Sequence, residues 1–126
     1  AKLTGIGGVF FRSRHPKGLS DWYRDQLGIE PDDDGVVQTW WREAKELIAG
    51  HTAWAVFSAD TEYFGPTSNQ FMVNYRVDDL AEMLQELEAA SVEIVPKREN
   101  SEFGRFAWIV DPEGNRIELW EPPEGQ

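Results

Sequence analysis

The sequence of 126 residues contains no cysteine, and this absence removes several functions at once. Disulfide bonds, thiolate catalysis and cysteine-based zinc sites are excluded, and a reducing compartment such as the cytoplasm is expected. Histidine is also scarce, since the chain has only His15 and His51. A metal site would therefore depend mainly on carboxylates, amides or water.

Positive charge and long apolar runs are in short supply as well. The chain has 12 Lys and Arg against 23 Asp and Glu, a net charge of -11. This charge argues against nucleic acid and anionic membrane surfaces as partners. No apolar run is long enough to span a bilayer, and no signal-peptide pattern is visible. We expect a single cytoplasmic domain over residues 1–126 with no nucleic-acid or membrane partner.

The most strongly patterned stretch runs from Gly104 to Pro122. Two apolar runs of strand length flank the segment Asp111 to Asn115, whose Asp, Pro and Gly are typical of a tight turn. The pattern predicts a β-hairpin. Along its second strand, Ile117 and Leu119 share the face that must meet a core, and Glu118 lies on the opposite face. On that face its carboxylate is either exposed to solvent or takes part in binding or catalysis.

The order of elements, a strand, a helix and about three strands, occurs twice. The apolar stripes of the two helices open at Leu19 and Leu80, which are 61 residues apart, close to half of the chain. We predict an α+β fold in which two paired βαβββ units, about 1–60 and 70–122 with a linker of about 61–69, form one domain. The units would form a curved mixed sheet with helices on the outer face, leaving an inner face for a ligand.

Local patterns predict where several elements begin and end. Residues 16–27 predict an amphipathic helix that begins at a proline and is followed by a glycine, and Asp79 is predicted to cap the second helix. A short strand from Val92 is expected to end at Pro96, followed by a charged loop over residues 97–102. His51, directly after a glycine, is expected in a loop.

These motifs resemble the vicinal oxygen chelate superfamily, which contains glyoxalase I, bleomycin resistance proteins and extradiol dioxygenases. The resemblance covers nearly the whole chain and rests on the repeated units and on four segments: Trp22-Tyr23-x-x-x-Leu27-Gly28, Asn74 to Leu80, Gly104-Arg105-Phe106 and Asp111 to Trp120. It implies the paired-unit fold, a small-molecule partner and a homodimer.

The resemblance implies a metal site only in part. Metal-dependent members bind a divalent ion on the inner sheet face through His, Gln or Glu. Position by position, one ligand falls on Glu118, another at about Gly8 and a third at about Met72. Glycine offers no side chain, and a thioether is a poor ligand for hard divalent ions. Residues 52–59 contain no histidine or carboxylate. Glu118 is the one metal candidate, and no cofactor is expected.

The side chains predicted to bind a ligand in the inner cup are Arg12, Trp54, Met72, Asn74, Trp108, Glu118 and Trp120. Trp40 and Trp41 belong to the same aromatic signal, and Tyr63 and Phe64 in the linker are candidates to gate the cup. An aromatic-lined cup suits a flat, apolar small molecule.

Glu118 on a buried face would need a partner for its charge. The cationic candidates are Arg12, Arg76 and Arg116. A site of His15, His51 and Glu118 is not expected, and His15 is assigned a capping or surface role. The run of residues 32–34, all aspartates, is interpreted as a solvated turn.

Four functions remain open. The preferred one is a metal-free protein that binds a small, partly aromatic or apolar molecule, similar to the bleomycin resistance branch. The alternatives are a divalent-metal-dependent lyase, isomerase or dioxygenase with Glu118 as a ligand, a dimerisation module with a filled cup, and a metal-free enzyme with Glu118 as its general base. Glu118 is the best catalytic candidate in each enzymatic alternative.

Overall fold

The computed structural model describes residues 1–32, 35–42, 49–66 and 68–126, with the side chains of residues 38–42 and 49 left out. Expectations for residues 33–34 and 43–48, and for the side chains of Trp40 and Trp41, therefore lie outside the described residues. The elements are β1 (Leu3–Ser13), α1 (Pro16–Leu27), β2 (Val36–Arg42), β3 (Ala49–Ser58), β4 (Phe71–Val77), α2 (Leu80–Ala89), β5 (Glu93–Ser101), β6 (Gly104–Val110) and β7 (Arg116–Glu121).

The strands form one mixed sheet in the order β2-β3-β1-β4-β7-β6-β5. β1 and β4 open the two units and pair antiparallel at the centre of the sheet. On either side, β3 runs parallel to β1 and β7 runs parallel to β4. The predicted α+β fold of paired, repeated units is confirmed. The register places Gly8 beside Asn74, and Asn74 beside Glu118, across three neighbouring strands.

The two sheet faces carry different layers. On one face, α2 packs against a cluster that contains Val77, Leu80 and Leu119. The Asp79 side chain caps α2 as predicted, with its Oδ1 accepting from the Glu82 backbone N–H at 3.0 Å. On the same face α1 has no fully buried residue, and Trp22 is 52% exposed. No helix of the described chain is long and apolar enough to cross a membrane.

The predicted hairpin of β6 and β7 is confirmed, with the Asp111 N–H donating to the Asn115 carbonyl at 3.0 Å. The loop predicted over residues 97–102 is wrong, because β5 continues through Pro96 to Ser101. β5 is an edge strand with a register irregularity between Ile94 and Arg98, and such positions tolerate proline.

Candidate functional site

A cavity of about 340 Å³ lies on the sheet face opposite the helices. Its walls are mainly aromatic and aliphatic, and it contains a small number of polar groups. The side chains that line it include Phe10, Val36, His51, Ala53, Ala55, Phe57, Tyr63, Asn74, Phe106, Glu118 and Trp120, together with Gly7 and the exposed residues Asp32, Glu99, Ser101, Phe103 and Gln126. On β3, strand alternation sends His51, Ala53, Ala55 and Phe57 to the cavity and the residues between them to the helix side.

Glu118 is the central polar group of the cavity and is only 1% exposed. Its Oε1 accepts a hydrogen bond from Asn74 Nδ2 at 2.6 Å. Its Oε2 accepts from Trp108 Nε1 at 2.9 Å and from the hydroxyl of Tyr63. Asn74 and Trp108 stand beside Glu118 because they are its register partners on β4 and β6. Tyr63 reaches it from the linker between the units.

Burial raises the pKa of Glu118 above its ordinary value, whereas the hydrogen bonds from Tyr63, Asn74 and Trp108 lower it in part. The negative charge of Glu99 raises it further. Burial, followed by the adjacent charge of Glu118, raises the pKa of Tyr63 well above that of a free phenol. Tyr63 therefore stays protonated and acts as the donor.

The prediction that an arginine neutralises Glu118 is wrong. In the structure three neutral donors bind this carboxylate instead. Arg12 packs against the linker instead, with its guanidinium 5.0 Å from the ring centre of Phe64. Arg76 lies 5.1 Å from the ring of Trp120, and Arg116 donates to the Tyr63 carbonyl at 3.4 Å. The three arginines thus contact residues of the linker and the cavity wall rather than the carboxylate.

Four of the seven predicted residues meet at this site. Asn74, Glu118 and Trp120 line the cavity, and Trp108 contacts Glu118 from within the core. The Nε1 of Trp120 donates to the Phe103 carbonyl at 2.7 Å, which fixes its ring in the cavity wall.

The other three predicted residues lie elsewhere. Met72 is fully buried in the core cluster, and Arg12 is beside the linker. Trp54 points to the helix side of the sheet, with its ring 4.9 Å from that of Tyr23 in α1. The structure therefore does not bring these side chains to the cavity.

His51 is a lining residue that the sequence reasoning missed. It lies inside β3, not in a loop, is 3% exposed, and packs edge-on against Trp120 with the ring centres 5.1 Å apart. Burial and the charge of Arg76 lower its pKa, so the imidazole is neutral at pH 7. The sequence did contain a signal for this position, because His51 alternates with Ala53 and Ala55 along one strand. His15 is exposed and makes no side-chain capping bond, which leaves the surface role.

Among the residues that the structure describes, those around Glu118 do not form a ligand set for a divalent metal ion. The β1 residues that line the cavity are Gly7 and Phe10, not Gly8, and the β1–β4 register shifts between Ile6 and Gly8. A Cβ at Gly7 would lie 2.0 Å from Asn74 Oδ1, so an amide fills the space of a β1 side chain. Three N–H or O–H donors already contact the Glu118 oxygens. The described residues contain no group of three or more His, Cys, Asp or Glu able to hold a metal.

The sequence matches the family described as Glyoxalase-like domain over residues 8–120. No curated protein sequence matches the chain. Among solved structures, a methylmalonyl-CoA epimerase in complex with methylmalonyl-CoA and NH4+ is 14% identical with a TM-score of 0.66, covering 99% of both chains.

Two further structures are similar. The methylmalonyl-CoA epimerase from Mycobacterium tuberculosis is 22% identical, with a TM-score of 0.58 over 96% of this chain and 89% of that one. An NAD-dependent benzaldehyde dehydrogenase structure from Legionella pneumophila is 14% identical, with a TM-score of 0.59 over 92% of this chain and 98% of that one. At these identities the likeness concerns the fold alone.

Proposed function

This chain belongs to the glyoxalase-like domain family of the vicinal oxygen chelate superfamily, and on that premise we propose that it binds a small, partly aromatic or apolar molecule in the cavity, without a metal ion. The observation that carries the proposal is the open volume of about 340 Å³ between aromatic walls, with a buried carboxylate among them. Small-molecule sites typically have volumes of about 300–1,000 Å³ and this mixture of apolar walls and few polar groups.

The cavity also argues against two of the alternative functions. A dimerisation module with a filled cup would leave no such volume. A metal-dependent lyase, isomerase or dioxygenase would need ligands besides Glu118, and the positions that the superfamily resemblance assigns to them hold Gly8 and Met72. A CoA ester, as bound in an epimerase neighbour, is not expected here. The charged side chains that line this cavity in the described chain (Asp32, Glu99 and Glu118) are acidic and would repel its phosphates.

The test is binding of a neutral aromatic probe, 1-naphthalenemethanol, followed by tryptophan fluorescence. We expect saturable binding that is lost in Ala53→Phe, because Ala53 lines the cavity and the larger side chain fills it. Val56→Phe is the matched control, since Val56 alternates to the helix side of the same strand. Absence of binding, or binding that Ala53→Phe leaves intact, would contradict the proposal, provided thermal melts show both variants folded.

The metal-free part of the proposal has its own test. Thermal melts are recorded with Mn²⁺, Fe²⁺, Zn²⁺, Ni²⁺ and EDTA, because a ligand that binds only the folded state raises the melting temperature. We expect no specific stabilisation and no stoichiometric metal by elemental analysis. A metal-dependent rise that EDTA reverses would contradict this part.

We further propose that the protein is a cytoplasmic homodimer, as the superfamily resemblance implies. Light scattering should then give twice the chain mass of 14.4 kDa. A monomer mass at working concentration would contradict the dimer.

A further inference from the structure

The charged side chains that line the cavity within the described chain all carry negative charge. Glu118 lies buried among the walls, and Glu99 and Asp32 are exposed lining residues. The charge of Glu99 acts on both Glu118 and Tyr63, which places it within electrostatic reach of the buried carboxylate. His51 adds no positive charge at pH 7 because its pKa is lowered. The three lining carboxylates favour a cation, while the guanidinium of Arg76, 5.1 Å from the Trp120 ring, is a positive charge beside the cavity wall.

The hydrogen bonds of the buried polar groups leave acceptors in excess. A carboxylate offers about four lone-pair positions, and Glu118 uses three of them, which leaves one on Oε1. Asn74 is 2% exposed, and because its Nδ2 donates to Glu118, its Oδ1 is left without a hydrogen-bond donor among the described residues. This oxygen lies against Gly7, another lining residue. A buried acceptor without a donor is unfavourable, so the site is incomplete without a donor group.

We infer that the ligand carries a primary ammonium group, which donates hydrogen bonds to Glu118 Oε1 and Asn74 Oδ1. The inference rests on the proposed function and names the chemistry of its ligand. An ammonium supplies three donors and no acceptor, which matches the Asn74 Oδ1 without a donor and the remaining lone-pair position of Glu118 Oε1. The apolar body of the ligand packs on Phe57, Phe106 and Trp120, which line the cavity.

Three probes of one shape test this inference: 1-naphthalenemethanol, which is neutral, 1-naphthylmethylamine, which is a cation at pH 7.5, and 1-naphthoate, which is an anion. Calorimetry should give a dissociation constant for the amine at least about tenfold lower than for the alcohol, since a charge-assisted hydrogen bond is worth about 1.5–3 kcal/mol. The anion should bind more weakly than the alcohol.

Glu118→Gln should reduce the preference for the amine over the alcohol to less than about threefold, because the charge is removed while the shape is kept. Glu113→Gln removes the same charge from the exposed hairpin turn and should leave the preference unchanged. If Glu118→Gln does not fold, the ranking of the three probes on the unchanged protein still decides the inference.

The outcomes separate this inference from the proposed function. Equal or tighter binding of the alcohol would overturn the ammonium inference and leave small-molecule binding in place. Failure of all three probes would overturn both. A preference for the amine that persists unchanged in Glu118→Gln would show that surface charge, not the cavity, attracts the cation, and would overturn the inference alone.

Discussion

Replacing Tyr63 by phenylalanine removes one of the three hydrogen-bond donors that contact the buried Glu118 carboxylate. The ring keeps its stacking on Phe57, 5.3 Å between centres, and its edge contact with Trp108, so no void is created. What is lost is the hydrogen bond to the Glu118 carboxylate. Removing it should also raise the pKa of Glu118 further, because that bond lowers it.

The expected cost follows from the charge of the acceptor. Hydrogen bonds to charged groups contribute about 1.5–3 kcal/mol, so Tyr63→Phe should lower the free energy of unfolding by about 2 kcal/mol at a pH where Glu118 is ionised. In the Glu118→Gln background the acceptor is neutral, and the same change should cost only about 1 kcal/mol. The difference between the two costs is the coupling energy of a double-mutant cycle.

Urea unfolding followed by tryptophan fluorescence measures all four proteins of this cycle. Tyr75→Phe is the control, because Tyr75 is half-buried on the helix side and its hydroxyl makes no hydrogen bond in the described part of the chain. A cost for Tyr63→Phe below about 0.5 kcal/mol, or one equal in both backgrounds, would refute the assignment of Tyr63 as a donor to a buried charge.

Three other changes test the same structure by urea unfolding. The folded-state pKa of Glu118 is raised above the ordinary pKa of 4.5, so the free energy of unfolding should fall as the pH rises from 4.5 through the raised pKa. Glu118→Gln should flatten this pH dependence, and an unchanged pH dependence would contradict the burial of Glu118 as its cause. Gly7→Ala should cost about 2 kcal/mol, because its Cβ would meet Asn74 Oδ1 at 2.0 Å, whereas Gly18→Ala in α1, with no contact nearer than 3.9 Å, should not destabilise. Asp79→Ala should cost about 1 kcal/mol through the lost helix cap, and no loss would count against that cap.

The sequence was sufficient for the hairpin and the location of Glu118 because both follow from local rules. Turn residues mark the connection between β6 and β7, and strict alternation separates Glu118 from Ile117 and Leu119. The same alternation failed at β3, where Trp54 was predicted to face inward and His51 was placed in a loop. A one-residue error of register reverses the faces of a whole strand, so Trp54 was assigned to the cavity in place of its neighbour Ala53.

The remaining features depend on contacts between distant parts of the chain. Tyr63 donates to a carboxylate 55 residues further along the sequence, and no local sequence pattern predicts a contact between residues so far apart. The predicted arginine partner of Glu118 was chosen from charge alone, whereas the register of β4 and β6 supplies neutral donors instead. The length of β5 was underestimated, because a proline is expected to end a strand but is tolerated in a strand at the sheet edge.

The most direct test of the cavity as a binding site is an NMR titration of the indole N–H signals with 1-naphthalenemethanol. Trp120 lines the cavity and Trp108 donates to Glu118, whereas Trp22 and Trp54 lie on the helix side. We predict saturable shifts for the indoles of Trp108 and Trp120 and none for those of Trp22 and Trp54. Shifts confined to Trp22 and Trp54, or no shifts at saturating probe, would contradict binding in this cavity.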